Sequence, residues 1–249
     1  MKALRRVLKV LGILVGLLVI AVAVLLIVVR HPMPEGGVSG PEADALAHEI
    51  EVSVNVDAWK RTGAVRFRFG NMQHLWDRTR NYARARWGKN EVFVNAGNQQ
   101  GRAFVDGKEV SGAEKDKLVK KAYERFINDS FWFNPLHKLF DEGVTRYKVD
   151  FEGHPALLIT YASGGVTPGD SYLWILDDNH RPRAWRMFVH VLPVGGVQAS
   201  WEDWVPLSTG ALVSTRHKLA FLPMSIGEPA GAATLAELEG GDPFAGKLP

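Results

Sequence analysis

Between Val10 and Val29 the chain reads VLGILVGLLVIAVAVLLIVV, with no polar or charged position. A run of about 20 apolar residues is what a helix needs to cross the hydrocarbon of a bilayer, so residues 1–30 are expected to form one transmembrane anchor. Lys2, Arg5, Arg6 and Lys9 precede the span and only Arg30 closely follows it. That bias predicts a cytoplasmic N-terminus, with everything after the span in the periplasm beside the inner membrane. A cleaved signal peptide has a shorter apolar core and a small-residue cleavage site, whereas Arg30, His31, Pro32 and Met33 follow directly here.

Residues 31–41, HPMPEGGVSGP, carry no periodic apolar pattern and read as a linker that lifts the domain off the membrane. From Glu42 to about Val56 the spacing of Ala43, Leu46, Ala47 and Ile50 predicts a helix, followed by Trp59. At Gly63 the period changes to two. Val65, Phe67 and Phe69 then share one face and Arg66 and Arg68 the other, as in a strand with one buried side. Further strand runs fall near residues 72–77, 82–87, 91–96, 102–105, 144–151, 156–162, 171–177, 184–192, 197–205 and 211–221. Asp106-Gly107 is a two-residue hairpin signal, and Glu152-Gly153-His154-Pro155 and Asp177-Asp178-Asn179-His180 mark further reversals.

One long helix interrupts the strands. Ser111 and Glu114 form a capping-box pattern, and Leu118, Val119, Ala122, Tyr123, Phe126 and Ile127 fall on one stripe. Asn134 and Pro135 then open a short helix with Leu136, Leu139 and Phe140 on its apolar side, ended by Gly143. The triplet Phe131, Trp132 and Phe133 is therefore the joint between two helices. Short strands joined by hairpins imply antiparallel pairing, because parallel pairs need crossovers. The expected fold is α+β: a large curved antiparallel sheet, or half-open β-barrel, with helices on its concave side. Residues 42–225 make this domain and residues 226–249 a C-terminal tail.

The order of parts carries a resemblance: a helix ending near Trp59, the strand VRFRFGN, HLWD, a run of hairpins, a helix, FWFNPLHKLFDEG, then YKVDFEGHPALLITYASGGVTPGDSYLWILD. Over about residues 42–221 it resembles a group of exported bacterial proteins related to the lipoprotein-localisation carriers, periplasmic half-barrels that hold acyl chains. The resemblance implies a half-barrel that binds a lipid or lipoprotein. The membrane span departs from the soluble carriers, and no residue that acts in carriage maps onto a position here.

Composition narrows the chemistry. The chain has no cysteine, which excludes disulfides, thiolate metal sites and a cysteine nucleophile. The formal charge of +3 owes five basic residues to the first 30 positions, so the exported part is close to neutral and offers no nucleic-acid surface. No GxSxG, HExxH, Walker loop or dinucleotide fingerprint occurs, and no cofactor is expected. His74 and Asp77 lie three apart on a strand and point to opposite faces. His137 and Asp141 share a helical face but make only two ligands where a metal site needs three or more. Asp170, after a Gly-rich loop, has either a catalytic or a turn-capping role. Arg84 and Arg86, with Arg78 and Arg80 before them, form either a headgroup-steering patch or a solvated, edge-protecting face.

Eight tryptophans in one domain must be mostly core in a curved sheet. Phe131, Trp132 and Phe133 cannot all point the same way. Together with Phe67, Phe69, Trp76 and Trp174 they are the candidate ligand contacts for acyl chains. The leading expectation is a noncatalytic, membrane-tethered lipid- or lipoprotein-binding domain. Its rivals are a hydrolase using His74, Asp77 or Asp170, and an envelope scaffold with a filled barrel.

Overall fold

The computed structural model of the chain describes residues 2–163 and 168–248. Helix α1 (Lys2–Val29) contains a 23-residue stretch, Val7–Val29, that is long and apolar enough to cross a membrane. Helices α2 (Pro41–Ser53) and α3 (Val56–Arg61) follow, so Trp59 lies inside a second helix. Asn55, in the left-handed region at φ 56°, separates the two, and its side chain accepts from the Ala58 amide.

Six strands then run as hairpins: β1 (Ala64–Phe69), β2 (Met72–Asp77), β3 (Tyr82–Trp87), β4 (Asn90–Asn95), β5 (Gly101–Val105) and β6 (Lys108–Val110). Helix α4 (Gly112–Phe133) and a 3₁₀ turn (Pro135–Lys138) lead to eight more: β7 (Val144–Phe151), β8 (His154–Tyr161), β9 (Ser171–Leu176), β10 (Pro182–Phe188), β11 (Val197–Ser200), β12 (Glu202–Pro206), β13 (Leu212–Leu219) and β14 (Leu222–Ala232). A short helix, α5 (Leu235–Glu239), closes the chain. All pairs are antiparallel, and the strands form one 14-stranded open sheet in the order β6-β5-β4-β3-β2-β1-β14-β13-β11-β10-β9-β8-β7, with β12 beside β13.

The hairpin signals act as their chemistry requires. Asp106 and Gly107 both take positive φ between β5 and β6, as a two-residue turn demands. Asp177 accepts from the amides of Asn179 and Arg181 and so closes the β9–β10 turn. At the start of α4, by contrast, Ser111 sits at the N-cap but makes no side-chain cap bond, so the expected capping box does not form. Gly112 follows at φ +60°, which bends the chain out of the geometry that box needs.

Several boundaries move. The expected strand over 197–205 breaks at Trp201, whose amide bonds to the Arg183 carbonyl, and the run 184–192 stops at Phe188. Strands β6 and β14 carry no legible alternation. In β14 two prolines and two glycines interrupt the pattern, yet the strand pairs with both β13 and β1 and joins the two halves of the sheet. Residues 226–232 thus continue β14 across the expected domain boundary at 225. The rest of the expected tail is folded too: Leu235 and Phe244 pack with Leu75, Tyr82, Phe93 and Phe104 on the convex face.

On the concave face α4 lies over β3, β4 and β5 through Val119 and Ala122, which meet Ala85, Val92, Val94 and Ala103. Helices α2 and α3, the end of α4 and the 3₁₀ turn share the main concave core with β1 and β8–β13. Both sheet edges are blunted, as free edges must be to avoid pairing with other chains. The β6 edge is three residues long. The β7 edge is met by the linker, where Val38 and Lys148 exchange two backbone hydrogen bonds of 2.9 and 2.8 Å. The linker thus touches the sheet edge at Val38.

Candidate functional site

Strand alternation brings one side chain in two to the concave face, and here it delivers mostly rings. Tyr172, Trp174 and Leu176 of β9 point inward while Leu173 and Ile175 pack on the opposite face. Trp174 and Trp185 lie 4.9 Å apart between ring centroids, Trp185 and Trp201 5.0 Å, and Trp174 and Trp201 5.2 Å. The end of α4 lowers its triplet onto this wall. Trp132 meets Trp185 edge-on at 4.8 Å, and Phe131 meets Tyr161, Tyr172 and Trp185. Phe133 turns the other way, stacking on Phe67 at 4.4 Å and tilting against Trp59.

The seven expected contacts thus come together on one concave surface. Phe69 faces Trp132 at 6.4 Å, and Trp76 packs edge-on against Phe126. Phe133 and Trp174 are wholly buried, Trp132 nearly so, and Phe131 is mostly but not fully buried. Sequence reasoning left out Trp185, Trp201, Tyr161, Tyr172 and His217, which complete the wall. The signal for most of them was the strand alternation itself.

Half of the ten buried side-chain N and O atoms that find no hydrogen-bond partner among the described residues lie in this wall. The indole Nε1 groups of Trp174, Trp185 and Trp201, the Tyr161 hydroxyl and His217 Nε2 are all buried without a hydrogen-bond partner among the described residues. Leaving such an atom unpaired costs about 1–3 kcal/mol. His217 Nδ1 lies 3.0 Å from the Ser200 carbonyl oxygen, which can only accept, so the proton sits on Nδ1 and Nε2 presents a lone pair. Burial holds this imidazole neutral, with its pKa lowered to about 4. Burial also raises the Tyr161 hydroxyl well above its usual range. The wall therefore offers four neutral donors and one acceptor on an otherwise apolar surface.

A cleft of about 410 Å³ opens at the seam of β1 and β14, bordered by Arg68, Phe69, Gly70, Pro223 and Met224. The register slips between Arg66 and Arg68 at this seam. Phe69 links the cleft to Trp132 and the aromatic wall.

The other candidate groups are placed apart. His74 and Asp77 do point to opposite faces. His74 Nε2 lies 2.8 Å from Asp129 Oδ2 in the concave core, while Asp77 holds Arg80 and the Thr79 amide on the other side. Asp129 was not anticipated, although it falls on the stripe of Ala122, Phe126 and Phe133, where a carboxylate is out of place unless paired. Arg125 and Asn128 also bind its carboxylate, so the buried charge is compensated.

His137 sits between Trp59 and Trp76 with its pKa lowered to about 3, first by desolvation and then by Lys138 and Arg78. Asp141 instead pairs with Lys138 at the surface, so those two residues do not converge. Among the described residues no group of three or more histidines and acids could hold a metal.

Asp170 is buried and accepts from the amide and, at 2.8 Å, faces Nδ1 of His190, tying the β8–β9 and β10–β11 loops together. Part of the Gly-rich loop before it, residues 164–167, lies outside the described residues. Arg84 and Arg86 lie on an interior strand, so they protect no edge. Arg84 pairs with Glu239 and Glu91, and Arg86 with Glu91, which neutralises most of the patch. Arg78 stacks 4.2 Å over Trp59 and donates to the Trp59 and Thr62 carbonyls, so it is a structural cation; burial lowers its pKa to about 10.

Fold and site together define an open, curved antiparallel sheet with an aromatic concave face, preceded by a helix able to span a membrane. The chain matches no family model and no curated protein.

Proposed function

We propose that this chain is a noncatalytic domain, tethered to the inner membrane by α1 with the sheet in the periplasm, that holds the acyl chains of a lipid or lipoprotein against its aromatic concave face. The observation that carries this reading is the set of five buried, unpartnered polar atoms in one aromatic wall. An acyl chain contributes apolar area, at about 0.8 kcal/mol per buried methylene. Its ester or amide carbonyl accepts from an indole N–H that the protein leaves unpaired. The cleft beside Phe69 is the route in. The resemblance to the lipoprotein-localisation carriers and the basic flank of α1 point the same way.

The full chain in detergent should retain a fluorescent fatty-acyl ester through gel filtration. Trp185→Phe and Trp201→Phe remove the indole N–H together with part of the ring, so both should melt below the wild type; retention, measured well below each variant's melting temperature, should be lost in both. A wild-type chain that never retains the probe, or variants that retain it fully, would sink the reading. The scaffold alternative draws on one observation: Phe133, Leu136 and Leu139 are wholly buried and fill the middle of the concave side. That reading gains if no acyl ester is retained.

A further inference from the structure

The rim of the sheet nearest the anchor is chemically unlike the rest of the surface. The β1–β2, β10–β11 and β13–β14 connections lie at the same end of their strands. This follows from the registers Phe69↔Met72, Phe69↔Ile226, Leu219↔Leu222 and Ala199↔Leu219. Residues 188–196 read FVHVLPVGG and residues 217–224 HKLAFLPM, and neither stretch contains an acid. Val191 is 73% exposed, Phe221 54% and Leu222 57%. Their neighbours Val189, Leu192, Val194, Leu219 and Met224 pack back onto the concave core, so the exposed side chains stand on supported loops.

The anchor ends at this rim. Val29, its last residue, packs against the concave core. The His31 amide donates to the Gly195 carbonyl at 3.1 Å, and a Cβ on Gly196 would strike the His31 backbone at 2.3 Å, so the chain is in close contact with the β10–β11 loop. With Val38 paired to Lys148 at the sheet edge, little slack is left between the span and the sheet.

We infer that the β10–β11 and β13–β14 tips form a membrane-docking surface that seats the rim of the sheet on the phospholipid bilayer into which α1 inserts. Val191, Phe221 and Leu222 enter the boundary between headgroups and acyl chains, as apolar faces do to a depth of about 5–10 Å. Lys218 lies at headgroup level, and neither loop carries an acid of its own; the nearest carboxylate, Asp170 of the β8–β9 loop, is held by His190. The cleft beside Phe69 and Met224 then opens at the bilayer surface. The inference rests on the tether reading and is independent of whether an acyl chain is held.

The absence of cysteine makes the test direct. Val191→Cys and Phe221→Cys, with Asp178→Cys in the β9–β10 turn at the opposite rim as reference, are labelled with an environment-sensitive dye. The full chain is then placed in vesicles of phosphatidylethanolamine and phosphatidylglycerol. Dyes at 191 and 221 should emit to the blue of the dye at 178, be quenched by lipid carrying a shallow nitroxide, and be shielded from aqueous iodide. Flotation of the vesicles after an alkaline wash reads the tether separately. A chain that floats while all three dyes are equally open to iodide overturns docking and leaves the tether standing. A chain that does not float overturns both.

Discussion

Truncating the aromatic triplet one ring at a time separates core from ligand surface, because the three rings differ in burial. Phe133 is wholly buried, stacked on Phe67 and in contact with Trp59. Phe133→Ala leaves a cavity that the closely packed rings around it cannot fill, at a cost of about 3–5 kcal/mol. Trp132, against Trp185, Trp201 and His217, belongs to the same range. Phe131 is mostly but not fully buried, and truncating it forfeits the larger part of the ~1.5–3 kcal/mol that full burial of a phenylalanine brings, so about 1–2 kcal/mol. Urea unfolding of the detergent-solubilised chain, followed by circular dichroism, reads the difference. With a slope at the upper end of the usual range, about 3 kcal/mol per molar urea, Phe133→Ala lowers the midpoint by roughly 1 M or more and Phe131→Ala by a few tenths. Retention of a fluorescent fatty acid should be lost in Phe131→Ala at this small cost in midpoint. If Phe131→Ala unfolds as early as Phe133→Ala, the exposed edge of that ring is ordinary core and the ligand argument for it fails.

Acid should destabilise the domain before its carboxylates protonate. The folded pKa of His217, about 4, lies below the ordinary value of 6.5, so as the pH falls the unfolded chain takes up a proton first. Its contribution is whole above pH 6.5 and declines by roughly 1.4 kcal/mol per pH unit toward pH 4, about 3 kcal/mol in all. Urea midpoints at pH 7, 5.5 and 4.5 should fall in that order, and His217→Gln should make the fall shallower without abolishing it, because His137, lowered to about 3, adds to the same trend; a slope unchanged by that substitution contradicts a neutral buried His217. At the C-terminus Phe244 is wholly buried against Tyr82 and Phe93, so Phe244→Ala should cost about 3 kcal/mol or more, seen as a lower melting temperature. A wild-type melt would mean that the residues after β14 behave as a dispensable tail.

Local pattern was enough for the elements whose periodicity is uninterrupted. The apolar run from Val10, the alternation through β1, β2, β3 and β7, and the hairpin turns at Asp106-Gly107 and Glu152-Gly153 depend on neighbours in the chain alone. They dictated an antiparallel sheet with a helix across it. The opposite orientation of His74 and Asp77 followed in the same way from the two-residue period of a strand. Tertiary structure decided what depends on distant partners. Strand β14, interrupted by Pro223, Gly227, Pro229 and Gly231, has little propensity of its own and exists because β1 and β13 supply its hydrogen bonds on either side. Asp129 is tolerated in an apolar stripe because β2 brings His74 to it. The aromatic wall draws one ring or two from each of α4, β8, β9 and β10 and from the turn at Trp201. No single stretch of sequence contains it: the β9–β10 register sets Trp174 beside Trp185, and the docking of the end of α4 brings Phe131 and Trp132 within about 6 Å of their partners.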